Sequence, residues 1–382
     1  MNIGFVTPEY PHKELQLNVG GIGSFISNFA NQLTESGHKV FVFLYSQKRQ
    51  RIINDNGIEI HLIKQKNLKP FTWWINRMYI QNYINNLVLS NKIDVLEAPD
   101  WTGITAFMKF KCPLIIRLHG SDTYFCHLEN RTQKKKNYYF EKKAIFGATQ
   151  IIGVSNFVAT KTKELFNYNK EIAVIHNSID FSKFKSNSAI LEKENTILYF
   201  GTLIRKKGVL ELALIFNEII NQNPTINLIL LGKDVKDILE NKSTLEIFIS
   251  KLTEESKKNI TYIPEVTYTE VQDYISSAEV VVLPSFAEAF PMTWLEAMSM
   301  QKKMVTSNIG WSKELMIDGV TGFIEKPKNH KKYADKILYL VNNKNEGKEM
   351  AKNARERIIK YFNTNDSISK NLNLYNKVIK KI

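Results

Sequence analysis

A chain of 382 residues, 43% apolar and 24% charged, is long enough for about two globular domains. Its composition excludes a disordered chain, a collagen-like chain and a disulfide-stapled miniprotein. Lys and Arg number 52 against 38 Asp and Glu, a net charge of +14 that fits an anionic partner (a phosphorylated small molecule, a membrane surface or nucleic acid) or, equally well, a lysine-rich solvated surface.

The first residues, MNIGFVTPEY, read as a short strand running into a loop, without the basic and apolar regions of a secretory leader. Residues 24–36 follow with Phe25, Phe29, Ala30 and Leu33 near helical spacing, Ser24 as an N-cap and Gly37 just past the end. KVFVFLY (39–45) reads as a buried strand. Further strands are expected at 58–63, 94–97, 114–118, 150–154 and 172–175, with helices between them. The pattern then restarts, with strands at 196–200 (TILYF), 226–231 (INLILL), 260–263, 280–283 and 303–307 and helical segments such as 209–221 and 269–277. Alternation of this kind predicts parallel sheets with crossover helices, in two α/β units in series. The polar stretch 184–194 (FKSNSAILEKE) fits a linker, and the tail after Phe362 has helical periodicity. The expected division is 1–185, 186–365 and a final helix over 366–382. Two such domains would offer a cleft at the carboxyl ends of their strands, where open α/β sheets bind ligands.

No window holds the ~18 apolar residues of a membrane-spanning helix. Cys112 and Cys126 form no metal-ligand spacing, and so few thiols suggest a reducing, cytoplasmic setting. The positive charge is spread evenly: residues 1–180 hold 22 basic and 14 acidic side chains, the remainder 30 and 24. With no basic tract and no nucleic-acid motif, nucleic acid is disfavoured as a partner.

The stretch PSFAEAFPMTWLEAMSM (284–300) carries the most chemistry. A strand ends at Pro284, a loop holds Glu288, and a helix with proline near its first turn holds Glu296. A carboxylate accepts hydrogen bonds from two adjacent hydroxyls, so it suits a sugar diol. A helix N-terminus offers free amides and positive partial charge to a diphosphate. Taken alone, the spacing fits a surface ion pair equally well. GTLIRKKG (201–208) places Arg205, Lys206 and Lys207 after a strand, either as cations for a leaving diphosphate or as solvated loop charges. GGIG (20–23) allows close backbone approach to an anion at Gly21 and Gly23. It is not a dinucleotide fingerprint, because Ile26 stands where the third glycine belongs, and this argues against a dehydrogenase. His119 follows the strand PLIIRL and precedes Gly120 at a strand end, where an imidazole can hydrogen-bond a sugar. Asp122 is near enough to orient it or an acceptor hydroxyl. EAPDW (97–101) offers Glu97 and Asp100 to acceptor hydroxyls and Trp101 to a sugar face, or serves only to cap local structure.

In order along residues 3 to 325, these segments resemble the retaining glycosyltransferases of family 4, which have the GT-B fold: two Rossmann-like α/β domains with parallel sheets facing across a cleft. The resemblance rests on Glu288 and Glu296 with seven residues between them, on Gly20-Gly21-Ile22-Gly23, His119-Gly120, VIHNSIDFSKF (174–184), GTLIRKKG, the run 265–285, Glu314 and DGVTGF (318–323). It implies that Glu296 binds the donor ribose and Glu288 the transferred sugar, with backbone contacts at Phe290 and Met292 because Pro291 has no N–H. It also assigns His119 a functional role, places Val266 on the donor side, and matches Lys207 to the family's lysine. Thr202 stands where the family has an arginine, so Arg205 is the candidate substitute, and Gln301–Lys303 replaces a glycine and a proline common in the family.

The implied reaction is transfer of a hexose-type sugar from a nucleoside diphosphate sugar, UDP-linked by default and GDP-linked as the alternative. The acceptor is a glycan or a lipid-linked glycan, in surface polysaccharide or glycoconjugate synthesis. No cofactor is expected. No Asp-x-Asp follows a strand and no ligand cluster has zinc spacing, so no essential metal is expected either. The rival readings are a nucleotide-sugar epimerase on the same fold and a nucleotide-binding protein without transferase activity. KNLKPFTWWINR (66–77) and KKKNYYFEKK (134–143) mix basic and aromatic residues, which suits contact with an anionic membrane at its cytoplasmic face or an ordinary solvated surface.

Overall fold

The computed structural model describes residues 1–15, 19–67, 69–187 and 189–380, which form two compact units. The first comprises Met1–Asn177 and Thr364–Ile382, the second Ser178–Asn363.

In the first unit the elements are β1 (Asn2–Thr7), α1 (Gly21–Glu35), β2 (Lys39–Gln47), β3 (Arg51–Asp55), β4 (Ile58–Lys64), α2 (Thr72–Leu89), β5 (Val95–Pro99), β6 (Leu114–Leu118), α3 (Asp122–Leu128), α4 (Lys135–Gly147), β7 (Gln150–Gly153), α5 (Asn156–Phe166) and β8 (Ala173–Val174). The strands make one sheet in the order β3-β4-β2-β1-β5-β6-β7-β8. Every pairing is parallel except β3 with β4. Of that antiparallel hairpin, β4 was expected at 58–63 and β3 was not among the expected strands. It turns at Asn56 and Gly57, both with positive φ, the geometry that Asn-Gly favours in a two-residue hairpin turn.

The second unit continues with β9 (Thr196–Phe200), α6 (Val209–Gln222), β10 (Asn227–Leu231), α7 (Thr244–Ser250), α8 (Glu254–Lys258), β11 (Ile260–Ile263), α9 (Tyr268–Ser277), β12 (Val280–Leu283), α10 (Met292–Ser299), β13 (Lys303–Ser307), α11 (Ser312–Leu315), β14 (Phe323–Glu325), α12 (His330–Asn342) and α13 (Lys344–Tyr361). Its six strands are all parallel, in the order β11-β10-β9-β12-β13-β14. The last helix, α14 (Thr364–Ile379), is part of the first unit.

In each sheet the strand order reverses once, between β1 and β5 and between β9 and β12. Loops diverge at such a point, and the carboxyl ends of the flanking strands border a crevice. The segments of interest leave β5, β6, β9 and β12 at those ends. The central strands are buried on both faces, which is why they read as continuous apolar runs.

Two expectations change. The stretch 184–194 is not a linker, because it is bound into the second unit. The Phe184 carbonyl accepts from Ser299 Oγ, Asn187 N donates to Ser276 Oγ, Lys193 N donates to the Ser277 carbonyl, and Glu192 pairs with Lys302 at 2.9 Å. Ser24 is not the cap of α1, which starts three residues earlier with Gly20 as its N-cap. The cap comes from a distance: the Glu9 carboxylate accepts from Gly20 N at 2.9 Å and Gly23 N at 2.8 Å. Among the described residues no helix is long and apolar enough to cross a membrane.

The first unit also buries an ionic network. Arg117, in the middle of β6, donates from Nε and Nη2 to both oxygens of Glu97 on β5, at 2.7 and 2.8 Å. Its Nη2 also reaches Asn371 Oδ1 at 2.6 Å, and the Tyr375 phenol donates to Glu97 at 2.5 Å. Both α14 residues are thereby tied to the sheet. Removing one member of a buried pair strands the other in low dielectric, at a cost of about 3–5 kcal/mol. Glu97→Ala is therefore expected to lower stability in urea unfolding by about that amount. Tyr375→Phe removes only a hydrogen bond to a charged group and should cost about 1.5–3 kcal/mol. Equal stability of all three proteins would show that the network does not hold α14.

Candidate functional site

In the second unit, the loop after β9 and the loop after β12 are stitched together. Phe286 N and Ala287 N both donate to the Lys206 carbonyl. Gly208 has φ +70, and a Cβ there would lie 1.8 Å from the Pro284 carbonyl oxygen, so only glycine permits the approach. This packing brings Lys207 Nζ to 3.2 Å from Glu288 Oε1, a pair largely shielded from solvent. The Tyr199 phenol, buried beneath, donates to the Thr202 carbonyl. Its pKa is raised by burial and then by the charge of Glu288.

The N-terminus of α10 lies beside this pair. A Cβ at Gly201 would sit 3.4 Å from Lys207 Nζ and 3.9 Å from Thr293 Cγ2, so that glycine separates the ammonium from the first turn of the helix. Pro291 is the N-cap and makes no side-chain cap. The first amides of any α-helix lack intrahelical partners and carry positive partial charge. Glu296 lies a turn further in and is buried. Lys207 and Glu288 thus stand beside the first turn of α10, which Met292 opens and which leads to Glu296. Phe290 contributes its ring to the core, packed on Trp311 at 5.9 Å and Phe362 at 5.7 Å. Val266 is half-buried just before Thr267, which caps α9 in a capping box with Glu270. Arg205 is not with them. Its guanidinium is bidentate to Asp237, at 2.8 and 3.0 Å, and also holds Glu240 at 3.0 Å. The expectation that it stands in for an arginine at Thr202 is overturned by that acidic clamp, which no local pattern announces.

In the first unit, His119 leaves β6 with its backbone N–H on Asp100 Oδ1 at 2.9 Å and its ring against Phe25 at 4.8 Å. Gly120 follows at φ +98, packed on the Phe125 ring. Burial, and then the Arg117 guanidinium, push the imidazole down to about 3, so it is neutral near pH 7. Asp100 is fully buried, and its carboxyl is pushed well up by burial and by Glu141. It holds the His119 turn in place. Glu97 is committed to Arg117 and Tyr375. Neither carboxylate is turned to an acceptor, which corrects that expectation. Asp122 opens α3 and accepts from Asn137 at 2.8 Å, with Arg131 at 3.9 Å, rather than orienting His119. Trp101 is half-buried, 6.4 Å from Phe125. Gly21 and Gly23 lie inside the first turn of α1, where Glu9 is the anion their segment holds. Sequence reasoning missed Glu9 and Arg117. A charge in the middle of LIIRL is the signal that marks the latter.

Comparison with known proteins places the chain in a family. A family model described as Glycosyltransferase Family 4 matches residues 19–183, and one described as Glycosyl transferases group 1 matches residues 180–357. The chain belongs to the family 4 glycosyltransferases. An uncharacterised glycosyltransferase of Methanocaldococcus jannaschii is 25% identical over 90% of this chain and 92% of its own. The capsular polysaccharide biosynthesis glycosyltransferase CapM of Staphylococcus aureus is 26% identical over 64% of this chain and 66% of its own. Among solved structures, sucrose-phosphate synthase from Thermosynechococcus elongatus superposes with a TM-score of 0.81 at 16% identity, covering 100% of this chain and 99% of that one. Anabaena HepE, solved with UDP and glucose, gives 0.76 at 16% identity over 98% and 99%. These likenesses show the GT-B fold.

Two outcomes are expected. Unfolded, His119 takes up a proton near pH 6.5, whereas the folded ring does so near 3. The stability it contributes is complete above pH 6.5 and is lost as pH falls through that window. NMR of the folded protein should show a His119 ring that does not titrate between pH 8 and pH 5. Titration near 6.5 would place the ring in solvent. Gly208→Ala should push the two loops apart and lower the thermal midpoint of unfolding, and an unchanged midpoint would show that the close approach is not needed.

Proposed function

We propose that this glycosyltransferase is a retaining, metal-independent enzyme that transfers a hexose-type sugar from a nucleoside diphosphate sugar to a glycan or lipid-linked acceptor. The setting is surface polysaccharide or glycoconjugate synthesis at the cytoplasmic face of a membrane. The observation that carries this reading is the Lys207–Glu288 pair held beside the first turn of α10, the helix that bears Glu296. One cation and one helix end suit a diphosphate, and two carboxylates suit diols on either side of it. The names of relatives support the pathway class: CapM, and a putative teichuronic acid biosynthesis glycosyltransferase of Bacillus subtilis, 24% identical over 52% of this chain. HepE, solved with UDP-glucose, supports UDP-sugar as the first donor to test, with GDP-sugar second.

On this reading Glu296 binds the ribose and Glu288 the transferred sugar. The acceptor oxygen bonds to the anomeric carbon on the face from which the nucleotide leaves. The bond from that carbon to the diphosphate oxygen breaks, and the acceptor proton passes to the departing diphosphate. Lys207 and the α10 amides stabilise the charge that develops there. His119, being neutral, is able to accept or donate one hydrogen bond to sugar or acceptor, without adding a charge.

The test is a thermal-shift screen of nucleoside diphosphates and their sugars, with and without chelator, followed by kinetics. Binding to the folded state alone raises the midpoint, by about 2.7 kcal/mol of stabilisation at a hundredfold excess over Kd. One base family should stabilise the protein with chelator present. Glu296→Ala should weaken that binding at least tenfold, and Glu288→Ala should lower kcat at least tenfold with the donor still bound. Wild-type kinetics in both variants would refute the assignments, and product that forms without any acceptor would mean an epimerase.

A further inference from the structure

Large apolar side chains exposed singly are ordinary, but a contiguous exposed patch marks a contact. Phe71 is 63% exposed, Trp74 40% and Tyr139 48%. The last two are joined through Phe107, whose ring lies 5.9 Å from each. Phe107 adopts φ +67, a left-handed conformation that a bulky residue rarely takes, and the backbone holds it there with its ring at the centre of the patch.

The charge around this patch has one sign. α2 contains no acidic residue, and the charged residues of the segment 64–71 before it are all lysines. Residues 134–147 hold five lysines and one acid, Glu141. That carboxylate is turned inward, accepting from the amides of Thr102, Asp122 and Thr123 and from the Thr123 hydroxyl. The outer side of α4 is therefore cationic without compensation. Its lysines lie along the aromatic surface: Lys143 Nζ is 5.5 Å from the Tyr139 ring and Lys136 Nζ 5.5 Å from the Phe140 ring.

We propose that this face, formed by the start of α2, Phe107 and the outer side of α4, docks on an anionic lipid surface. Rings that end at the headgroup level, beside lysines that lay their alkyl stems on apolar surface and hold their ammonium groups outward, match a bilayer interface. A soluble polyanion would be satisfied by the charge and gains nothing from the exposed rings. The proposal extends the lipid-linked acceptor of the preceding reading, but its test does not involve donor or acceptor.

The full chain is floated on a density gradient with vesicles of phosphatidylcholine, or of phosphatidylcholine and phosphatidylglycerol, at low salt. Flotation is expected with the anionic vesicles only, at least tenfold above the zwitterionic control, and is expected to fall at high salt. Lys135→Glu/Lys136→Glu/Lys143→Glu should abolish it. Trp74→Ala/Tyr139→Ala should reduce it severalfold at unchanged charge. An unchanged thermal midpoint for the variants confirms that they are folded. Failure of the wild-type chain to float at low salt, or equal flotation of the lysine variant, overturns the proposal. Flotation unaffected by the aromatic variant, with heparin competing as strongly as anionic vesicles, overturns it in favour of a soluble polyanion. Flotation in a protein that binds no nucleotide would refute the preceding reading and leave this one standing.

Discussion

The first unit depends on a charge placed where charges are least tolerated. Arg117 occupies the middle of a strand whose five residues are all buried, in the middle of a parallel sheet. A guanidinium survives there only if nearly all its donors are met by a carboxylate and by dipoles. Glu97 on the neighbouring strand supplies the carboxylate, α14 supplies Asn371 and Tyr375, and the faces of Phe25 and Phe29 on α1 lie 5.1 and 5.5 Å away. One buried cation thus recruits two strands, the first helix and the last. It also acts two residues downstream, where its field helps keep His119 neutral. The network that fastens the C-terminal helix therefore adds to burial in keeping neutral an imidazole at a strand end where ligands are expected to bind.

The second unit solves a different problem. Its candidate site has few fixed groups and depends on backbone proximity to place them. Gly208 lets one loop rest on the Pro284 carbonyl, Gly201 leaves room between Lys207 and Thr293, and the Lys206 carbonyl ties both loops by two amides. The geometry of Lys207 against Glu288 is a consequence of those contacts. Side chains placed by backbone-to-backbone stitching lose little entropy when a ligand arrives, which is the condition for electrostatic stabilisation to be effective.

Much of this was legible in the sequence, for identifiable reasons. TILYF, VVVL and LIIRL read as strands because strands buried on both faces of a parallel sheet are continuous apolar runs. The residues around α10 were legible because they are close in sequence. What escaped was either at an edge or made by distant partners. Arg51–Asp55 is an edge strand with alternating burial, and only its Asn56-Gly57 turn marked it. The start of α1 was placed too late because its cap, Glu9, lies eleven residues before Gly20. Residues 184–194 are polar enough for a linker, yet their polar groups are met by Ser276, Ser299 and Lys302 of the second unit. Arg205 looked available because Asp237, its partner, is 32 residues away. Glu97 and Asp100 looked like binding groups for the same reason.

The commitment of Arg205 changes the electrostatics of the proposed reaction. With Thr202 where the family resemblance places an arginine, and Arg205 turned to Asp237 and Glu240, Lys207 is the side-chain cation placed beside the first turn of α10. Before a ligand arrives, Glu288 holds that ammonium in position at 3.2 Å. A diphosphate settling on the helix end would share the ammonium with the carboxylate, and the sharing would shift toward the leaving oxygens as their charge grows. Glu288 would then be freed to accept hydrogen bonds from the sugar at the moment its bond to the nucleotide lengthens. A pair of this kind couples release of the nucleotide to the grip on the sugar, a coupling that a cation without such a carboxylate partner could not provide. It also concentrates on Lys207 the stabilisation that two cations would otherwise divide.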